Sequence, residues 1–288
     1  MFDSRTRMLA GTVTAVICLL LPGPSAPGGA PFARTAPPTA ATVPNRVMTW
    51  NICNPCGSEH NAGRAAEIAR YAPQVIGLQE ACVRDVERIR FYLEYRHGLA
   101  YHVAYGPVLR NFGRCGGVPW RPGAYGQALL SAAPMTDRSN TEFPDGGSED
   151  RGYLAVTTLV GGRPVRVLNA HLAERSQAPV RAGQTAVLAA ALSRHDRAIL
   201  LGDLNAVPDA PELTRIWPLA TDADPRCRPP SQPDCEPTTD WQSKFDYIFL
   251  RGLTPLNHTV HPTDHSDHAL LRADLTPPRA AASARSKL

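Results

Sequence analysis

The sequence predicts one α/β domain built on mixed sheets. Strand-like and helix-like stretches alternate along the chain, as they do in layered α/β folds. Apolar residues make up 43% and charged residues 19% of the 288 positions, which supports a large core and excludes disorder along most of the chain. No internal repeat and no linker interrupts residues 46–276.

The elements follow in order. Arg46–Ile52 is a short apolar strand, and Ala62–Tyr71 has helical periodicity that stops before Pro73. Gln74–Gln79 is a second strand. Val83–His97 reads as a helix with Val86, Ile89, Tyr92 and Leu93 on one side and Gly98 as its stop. Tyr101–Tyr105 is a third strand, and 106–123 a Gly/Pro-rich loop. Gln127–Ser131 and Tyr153–Val160 are further strands, the latter turning at Gly161-Gly162 into Pro164–Ala170. Val180–His195 is helical, with Val187, Leu188, Ala191 and Leu192 as its buried face. Ala198–Gly202 is an intensely apolar strand. Asp246–Leu250 and Ala269–Leu275 are the last clear strands, with a short one near 256–260.

The ends have a different character. Arg5 and Arg7 precede the apolar run Met8–Leu21, and the small residues Ser25, Ala26, Gly28, Gly29 and Ala30 follow, so 1–30 reads as a secretory signal peptide. The apolar run is short for a membrane span. Residues 31–45 are expected to form a disordered Pro/Ala-rich lead-in and 277–288 a disordered tail, flanking a domain at 46–276. A secreted, extracellular protein is the expectation. Ser286-Lys287-Leu288 matches a peroxisomal address, which an exported chain never presents to its receptor. Asn257-His258-Thr259 is a glycosylation sequon with meaning only in a eukaryotic secretory pathway.

Of seven cysteines, Cys18 lies in the signal segment, and the remaining six favour three disulfides in an exported chain. Cys227 and Cys235 close a short loop and form the expected pair. Cys53, Cys56, Cys82 and Cys115 allow three pairings. A zinc site on these four is the rival reading, but Cys82 and Cys115 lack ligand-like spacing. The net charge of +4 resides in the ends; residues 45–278 carry 24 basic and 25 acidic side chains. Bulk electrostatics therefore identify no polyanionic partner.

Polar residues recur where the strands end: Asn51, Glu80, His171, Asp203 with Asn205, Asp246, and Asp267-His268. Strand ends in α/β folds lie along one edge, so such side chains can converge from distant positions. The set has the parts for metal-assisted phosphoester cleavage. Glu80 offers hard oxygens suited to Mg²⁺ or Mn²⁺, with Ca²⁺ a further option. Asp203 can orient the attacking water or take its proton, and His268 can hydrogen-bond a non-bridging phosphate oxygen. Singly, each has a bland reading: Glu80 a surface carboxylate, Asp203 and Asn205 an Asx turn, His171 a core histidine. The combination in this order carries the argument.

The strings Thr49-Trp50-Asn51, Gly77-Leu78-Gln79-Glu80, Asn169-Ala170-His171-Leu172, Gly202-Asp203-Leu204-Asn205, Asp246-Tyr247-Ile248 and Ser266-Asp267-His268 resemble the endonuclease/exonuclease/phosphatase superfamily, in its deoxyribonuclease- and sphingomyelinase-like branch. The resemblance spans about 46–276. It implies a four-layer α-β-β-α sandwich of two mixed sheets flanked by helices. It also implies roles: Glu80 as principal metal ligand with Asn51 beside it, Asp203 acting on water, and Asn205 holding phosphate or water. Asp246 would orient and charge His268, Asp267 would be a further metal or water contact, and Arg151 and Asn51 would touch substrate. His171 would act near the leaving group. Deoxyribonucleases pair that histidine with a glutamate; the comparable residue here is Gln127, which would orient the imidazole without raising its pKa.

These readings converge on a secreted, divalent-metal-dependent phosphodiesterase acting by in-line water attack, with nuclease activity favoured. The alternative is a phosphatase or phospholipase C, sphingomyelinase-like, acting on lipid or inositol phosphates. A third reading is a non-catalytic binding protein on the same fold, which would typically have lost a central acid or the final histidine. A membrane-active enzyme would need an exposed apolar loop, and 106–123 offers Val108, Leu109, Phe112, Val118 and Trp120. The favoured reading of that loop is a packed segment tied down through Cys115. A phosphoester substrate, no protein partner and a monomer are expected.

Overall fold

The computed structural model describes residues 40–52 and 57–277. The expected signal peptide, residues 31–39 of the lead-in, Cys53, Cys56 and the tail from 278 lie outside the described residues, while 43–45 of the expected lead-in belong to β1. The elements are β1 (Val43–Asn51), α1 (Asn61–Tyr71), β2 (Pro73–Cys82), α2 (Val83–His97), β3 (His102–Arg110), α3 (Phe112–Cys115), β4 (Gly117–Val118), β5 (Arg121–Pro122) and β6 (Ala124–Ser131). There follow β7 (Thr136–Glu142), β8 (Gly152–Val160), β9 (Arg163–His171), α4 (Ala178–Ser193), β10 (Ala198–Asp203), β11 (Thr221–Asp222), β12 (Asp246–Arg251), β13 (Pro255–His261) and β14 (Leu270–Leu275).

Twelve of these strands form two six-stranded sheets, ordered β13-β14-β1-β2-β6-β3 and β11-β12-β10-β9-β8-β7. Each sheet has one parallel pair, β1 with β2 and β9 with β10, between antiparallel neighbours. Alternation along the strands divides the burial. Val47 and Val75 face inward to meet Val167, Ile199, Leu201 and Ile248 of the other sheet. Met48, Trp50, Ile76 and Leu78 face outward and pack under Ile68 of α1 and Ile89 and Leu93 of α2. Leu168, Leu200 and Phe249 pack outward against Leu188 and Leu192 of α4. The result is the four-layer α-β-β-α sandwich, and each fully buried aliphatic side chain contributes roughly 1.5–3 kcal/mol.

Several expectations need correction. β2 continues past Glu80 to Cys82; Glu80 sits in a bulge with φ 52°, where the register with β6 shifts between Leu78 and Ala81. The segment 106–123 is not all loop: β3 runs to Arg110, and α3 and the small β4–β5 hairpin follow. β7 was not foreseen, because TDRSNTE is polar on both faces and pairs at a sheet edge. The buried face of α4 includes Arg181, Gln184 and Thr185, while Val187 and Ala191 are half-buried. Arg181 is tied to Glu212, with both side chains almost fully covered. The last strand begins at Leu270 rather than 269, and His268 forms an isolated bridge with Thr239.

Cys227 is bonded to Cys235 and Cys82 to Cys115. The second bond removes two of the four thiolates that the zinc reading required. Val108 and Leu109 pack beside it, whereas Phe112, Val118 and Trp120 are exposed, Trp120 at 85%. The segment is thus both tied down and apolar at its tip. Among the described residues no helix is long and apolar enough to cross a membrane.

Candidate active site

The strand registers build the site. Asp203, the last residue of β10, pairs with His171 on β9 and with Asp246 on β12. Three polar side chains therefore stand abreast at one end of the second sheet. Asn51, at the matching end of β1, pairs with Gln79. Gly202 allows this close ladder: its φ is 137°, and a Cβ there would lie 1.9 Å from the Ala170 carbonyl oxygen.

Asp203 is the hub. Its Oδ1 accepts from the Asn205 backbone N–H at 2.8 Å, and its Oδ2 accepts from Asn51 Nδ2 at 3.0 Å. The same Asn51 amide donates to Glu80 Oε1 at 3.2 Å. Burial pushes Asp203 up to about 7, which suits a carboxylate that must accept a proton near neutrality. Burial also raises Glu80, and repulsion from Asp267 adds to it.

His268 stands opposite. Its Nδ1 is 2.8 Å from Asp246 Oδ2, and its Nε2 is 3.8 Å from Asp203 Oδ2. Burial opposes the charge on this ring, but Asp246 and Asp203 outweigh it and hold the imidazolium up to about 10. Thr238 Oγ1 donates to Asp246 Oδ2 at 2.7 Å. The His268 backbone is fixed from both sides: Trp50 Nε1 donates to its carbonyl at 3.0 Å, and its N–H donates to Ser266 Oγ at 3.1 Å. Ser266 Oγ in turn donates to the Asn51 carbonyl at 2.6 Å, tying this loop to the end of β1.

His171 Nε2 lies 3.5 Å from Asp203 Oδ2 and 4.0 Å from Glu80 Oε1. Burial, then the nearby Arg151 charge, drives its pKa well below 6.5, so the ring is neutral. Arg151 Nη1 approaches its Nδ1 at 2.7 Å, and Asn205 Nδ2 approaches its Nε2 at 3.2 Å. Gln127 does not orient the ring: it donates to the Gly152 carbonyl, and its Oε1 is buried without a hydrogen-bond partner. Arg151 stands nearest His171 and takes over the contact expected of Gln127.

The structure thus gathers Asn51, Glu80, Arg151, His171, Asp203, Asn205, Asp246 and His268, with Asp267 close enough to perturb Glu80. The donor set fits a divalent cation. Asp267 Oδ1 and Asp246 Oδ1 are buried without hydrogen-bond partners, and Glu80 has hard oxygens and a destabilised charge. Asp203, Asp246 and His268 also bring ligand atoms within 4.8 Å of one another, although the Asp246–His268 contact already uses one imidazole nitrogen.

Sequence reasoning missed the supports. Glu149 bridges Arg114 and Arg151, coupling the disulfide-tied segment to the site. Gln79 Nε2 donates to Thr49 Oγ1 at 2.9 Å and Asn169 Oδ1 at 2.6 Å, a polar tie between the sheets just below the site. Inward-facing polar residues at strand positions 49, 79 and 169 were the available signal. Thr238 and Glu149 lie outside the strands and gave none.

The model of the Endonuclease/Exonuclease/phosphatase family matches residues 48–268. No curated protein matches the chain. Among solved structures, TDP2 from C. elegans superposes with a TM-score of 0.62 at 20% identity, covering 80% of this chain and 74% of that one. D. rerio TDP2 complexed with single-strand DNA product gives 0.64 at 19%, covering 80% and 98%. The human Nocturnin catalytic domain with bound sulfate gives 0.62 at 23%, covering 81% and 94%. At these identities the likeness is one of fold. The family match covers most of the chain and includes the strand-end cluster and all of both sheets but β14 and the start of β1, so the protein belongs to the endonuclease/exonuclease/phosphatase family and is a phosphoester hydrolase.

Proposed function

We propose that the chain is an exported, divalent-metal-dependent phosphodiesterase whose substrate is a nucleic acid. One observation carries the reading: Asn51, Glu80, His171, Asp203, Asn205, Asp246 and His268 meet at one rim of the sandwich, with carboxylate oxygens left over to take a cation. Glu80 and Asp267 would hold Mg²⁺ or Mn²⁺, with Asn51 beside them; the ion, when bound, supplies positive charge to the reacting phosphate. Asp203, held by Asn51 and the Asn205 N–H, orients water for attack on phosphorus and takes its proton. The phosphorus–oxygen bond to the leaving group breaks as the new one forms. His268, kept charged by Asp246, hydrogen-bonds a non-bridging oxygen, and Arg151 and Asn205 contact the phosphate. Neutral His171 hydrogen-bonds the leaving oxygen, which is protonated from solvent.

The apolar run ahead of the domain and the two disulfides support export. A nucleic-acid substrate is in keeping with a D. rerio TDP2 structure that holds single-strand DNA product. A second reading, hydrolysis of phospholipid headgroups, is favoured by the exposed Phe112, Val118 and Trp120 beside Arg110 and Arg121. Plasmid, single-stranded DNA and RNA cleavage with Mg²⁺ and with EDTA, run beside phosphocholine and inorganic phosphate release, separates the two. Asp203→Ala and His268→Ala serve as inactive controls. Wild-type protein that cleaves none of these phosphoesters in any divalent metal refutes both readings.

A further inference from the structure

We propose that His60 and His265 chelate a transition-metal ion of the zinc class at a second cation site, in a cleft that adjoins the strand-end cluster at Asp267. The two residues are 205 positions apart, yet their Nδ1 atoms lie 3.2 Å from each other. Two nitrogens bound to one Zn²⁺ at the usual bond length and tetrahedral angle stand about 3.3 Å apart. The pair therefore already has the bite of a chelate. It opens on a cleft of about 560 Å³ lined also by Glu67, Asp240, Asp264 and Asp267. Among the described residues that line this cleft there is no Lys or Arg. Four carboxylates give the cleft a negative field that favours a cation over a phosphate; among the described residues none brings an oxygen within 4.8 Å of both imidazole nitrogens, so water would complete the coordination. Imidazole nitrogen selects zinc-class ions, whereas the all-oxygen ligands at Glu80 and Asp267 select Mg²⁺ or Mn²⁺.

The pair is also held in place. Arg64 is fully buried behind the pair, outside the lining of the cleft. Its Nε donates to the His265 carbonyl at 3.2 Å, and its Nη1 donates to Asn61 Oδ1 at 3.0 Å and to the Gly57 carbonyl at 3.1 Å. One guanidinium thus clamps the backbone on both sides of the pair. The His265 ring lies directly over Gly63, where a Cβ would come within 2.2 Å of Nε2. That seat turns Nε2 toward α1 and leaves Nδ1 for the cleft. Glu59 Oε1 lies 3.9 Å from the far nitrogen of His60, the side on which a ligating imidazole is ordinarily backed by a carboxylate.

The test uses the full chain, stripped with chelator and returned to excess Mg²⁺, then titrated with Zn²⁺ by calorimetry and with Co²⁺ by its visible absorption. The proposal expects one ion in excess of Mg²⁺ sites, with a nitrogen-ligated Co²⁺ spectrum. His60→Ala and His265→Ala each weaken binding by about a hundredfold or more, and Gly63→Ala by roughly tenfold through displacement of the ring. Glu80→Gln leaves the affinity intact. Nitrogen-15 spectra of wild-type histidines should show the two Nδ1 resonances shifting on Zn²⁺ addition, which keeps the question open to decision if a variant fails to fold. Unchanged Zn²⁺ affinity in both histidine variants, or Nδ1 resonances that do not move, overturns the proposal in favour of a plain imidazole–imidazole hydrogen bond. No readout depends on phosphoester cleavage, so the result is independent of the proposed substrate.

Discussion

Replacing Lys244 by Met leaves the Asp222 carboxylate buried without its counter-charge. In the native protein Lys244 Nζ lies 3.1 Å from Asp222 Oδ2, with side chains 5% and 1% exposed. Asp222 Oδ1 also accepts from the Ala223 and Ile248 backbone N–H groups at 2.8 and 3.2 Å. Met keeps the packing of the stem but removes the charge and the cation–π contact to Tyr247 at 4.9 Å. Breaking a buried pair from one side costs about 3–5 kcal/mol, or a fall of about 6–20 °C in Tm for a domain of this size. Burial already raises the Asp222 pKa above 3.8, and Lys244 opposes that rise. Without Lys244 the folded value climbs further, so the folded protein keeps a proton that the unfolded chain has released. The variant's deficit is therefore largest above the folded pKa and shrinks as pH falls toward the unfolded carboxylate range. Urea unfolding at pH 5 and pH 8 measures both the cost and its slope. The double variant with Asp222→Asn should recover most of the loss. A deficit below about 1 kcal/mol at pH 8, or no recovery in the double variant, refutes the reasoning.

Asp203→Asn should lower kcat by about 10²–10⁴-fold with little change in KM or in the circular dichroism spectrum; steady-state kinetics on the best substrate checks it. Replacing Cys82 and Cys115 together by Ala removes a cross-link between positions 33 apart and should cost about 3–4 kcal/mol in guanidinium unfolding. Gly202→Ala should destabilise by about 3 kcal/mol or more, since the new Cβ meets the Ala170 carbonyl in a backbone conformation hostile to L side chains; thermal melts measure it. EDTA should abolish hydrolysis of any substrate found, and Mg²⁺ or Mn²⁺ should restore it.

Much of the candidate site's convergence was legible because its polar residues sit where apolar strands stop. Ala198–Gly202 is so apolar that Asp203 after it stands out, and the same holds for His171 after Val165–Ala170. Sheet register then did what local sequence cannot express, setting His171, Asp203 and Asp246 side by side. Other features had no local signature. The bulge that turns Glu80 into the site contains no Gly or Pro. Arg181 is buried because Glu212 lies opposite it, a partner 31 positions away that helical periodicity does not see. β7 is polar on both faces because it closes an edge. The Cys82–Cys115 bond was one of three arithmetically equal pairings until the fold brought the start of α2 against α3.

β1 runs between β2 and β14, so residues 46–49 are zipped to residues 271–274 near the far end of the chain. The same closure delivers His268, whose carbonyl is gripped by Trp50. The first strand must therefore wait for the final one before its sheet is complete, and the imidazolium arrives with that last piece. A chain still emerging from the ribosome, or one cut short before position 268, holds most of the acids yet not the complete candidate site. Until the last strand has paired, the cluster lacks the His268–Asp246 contact that completes it.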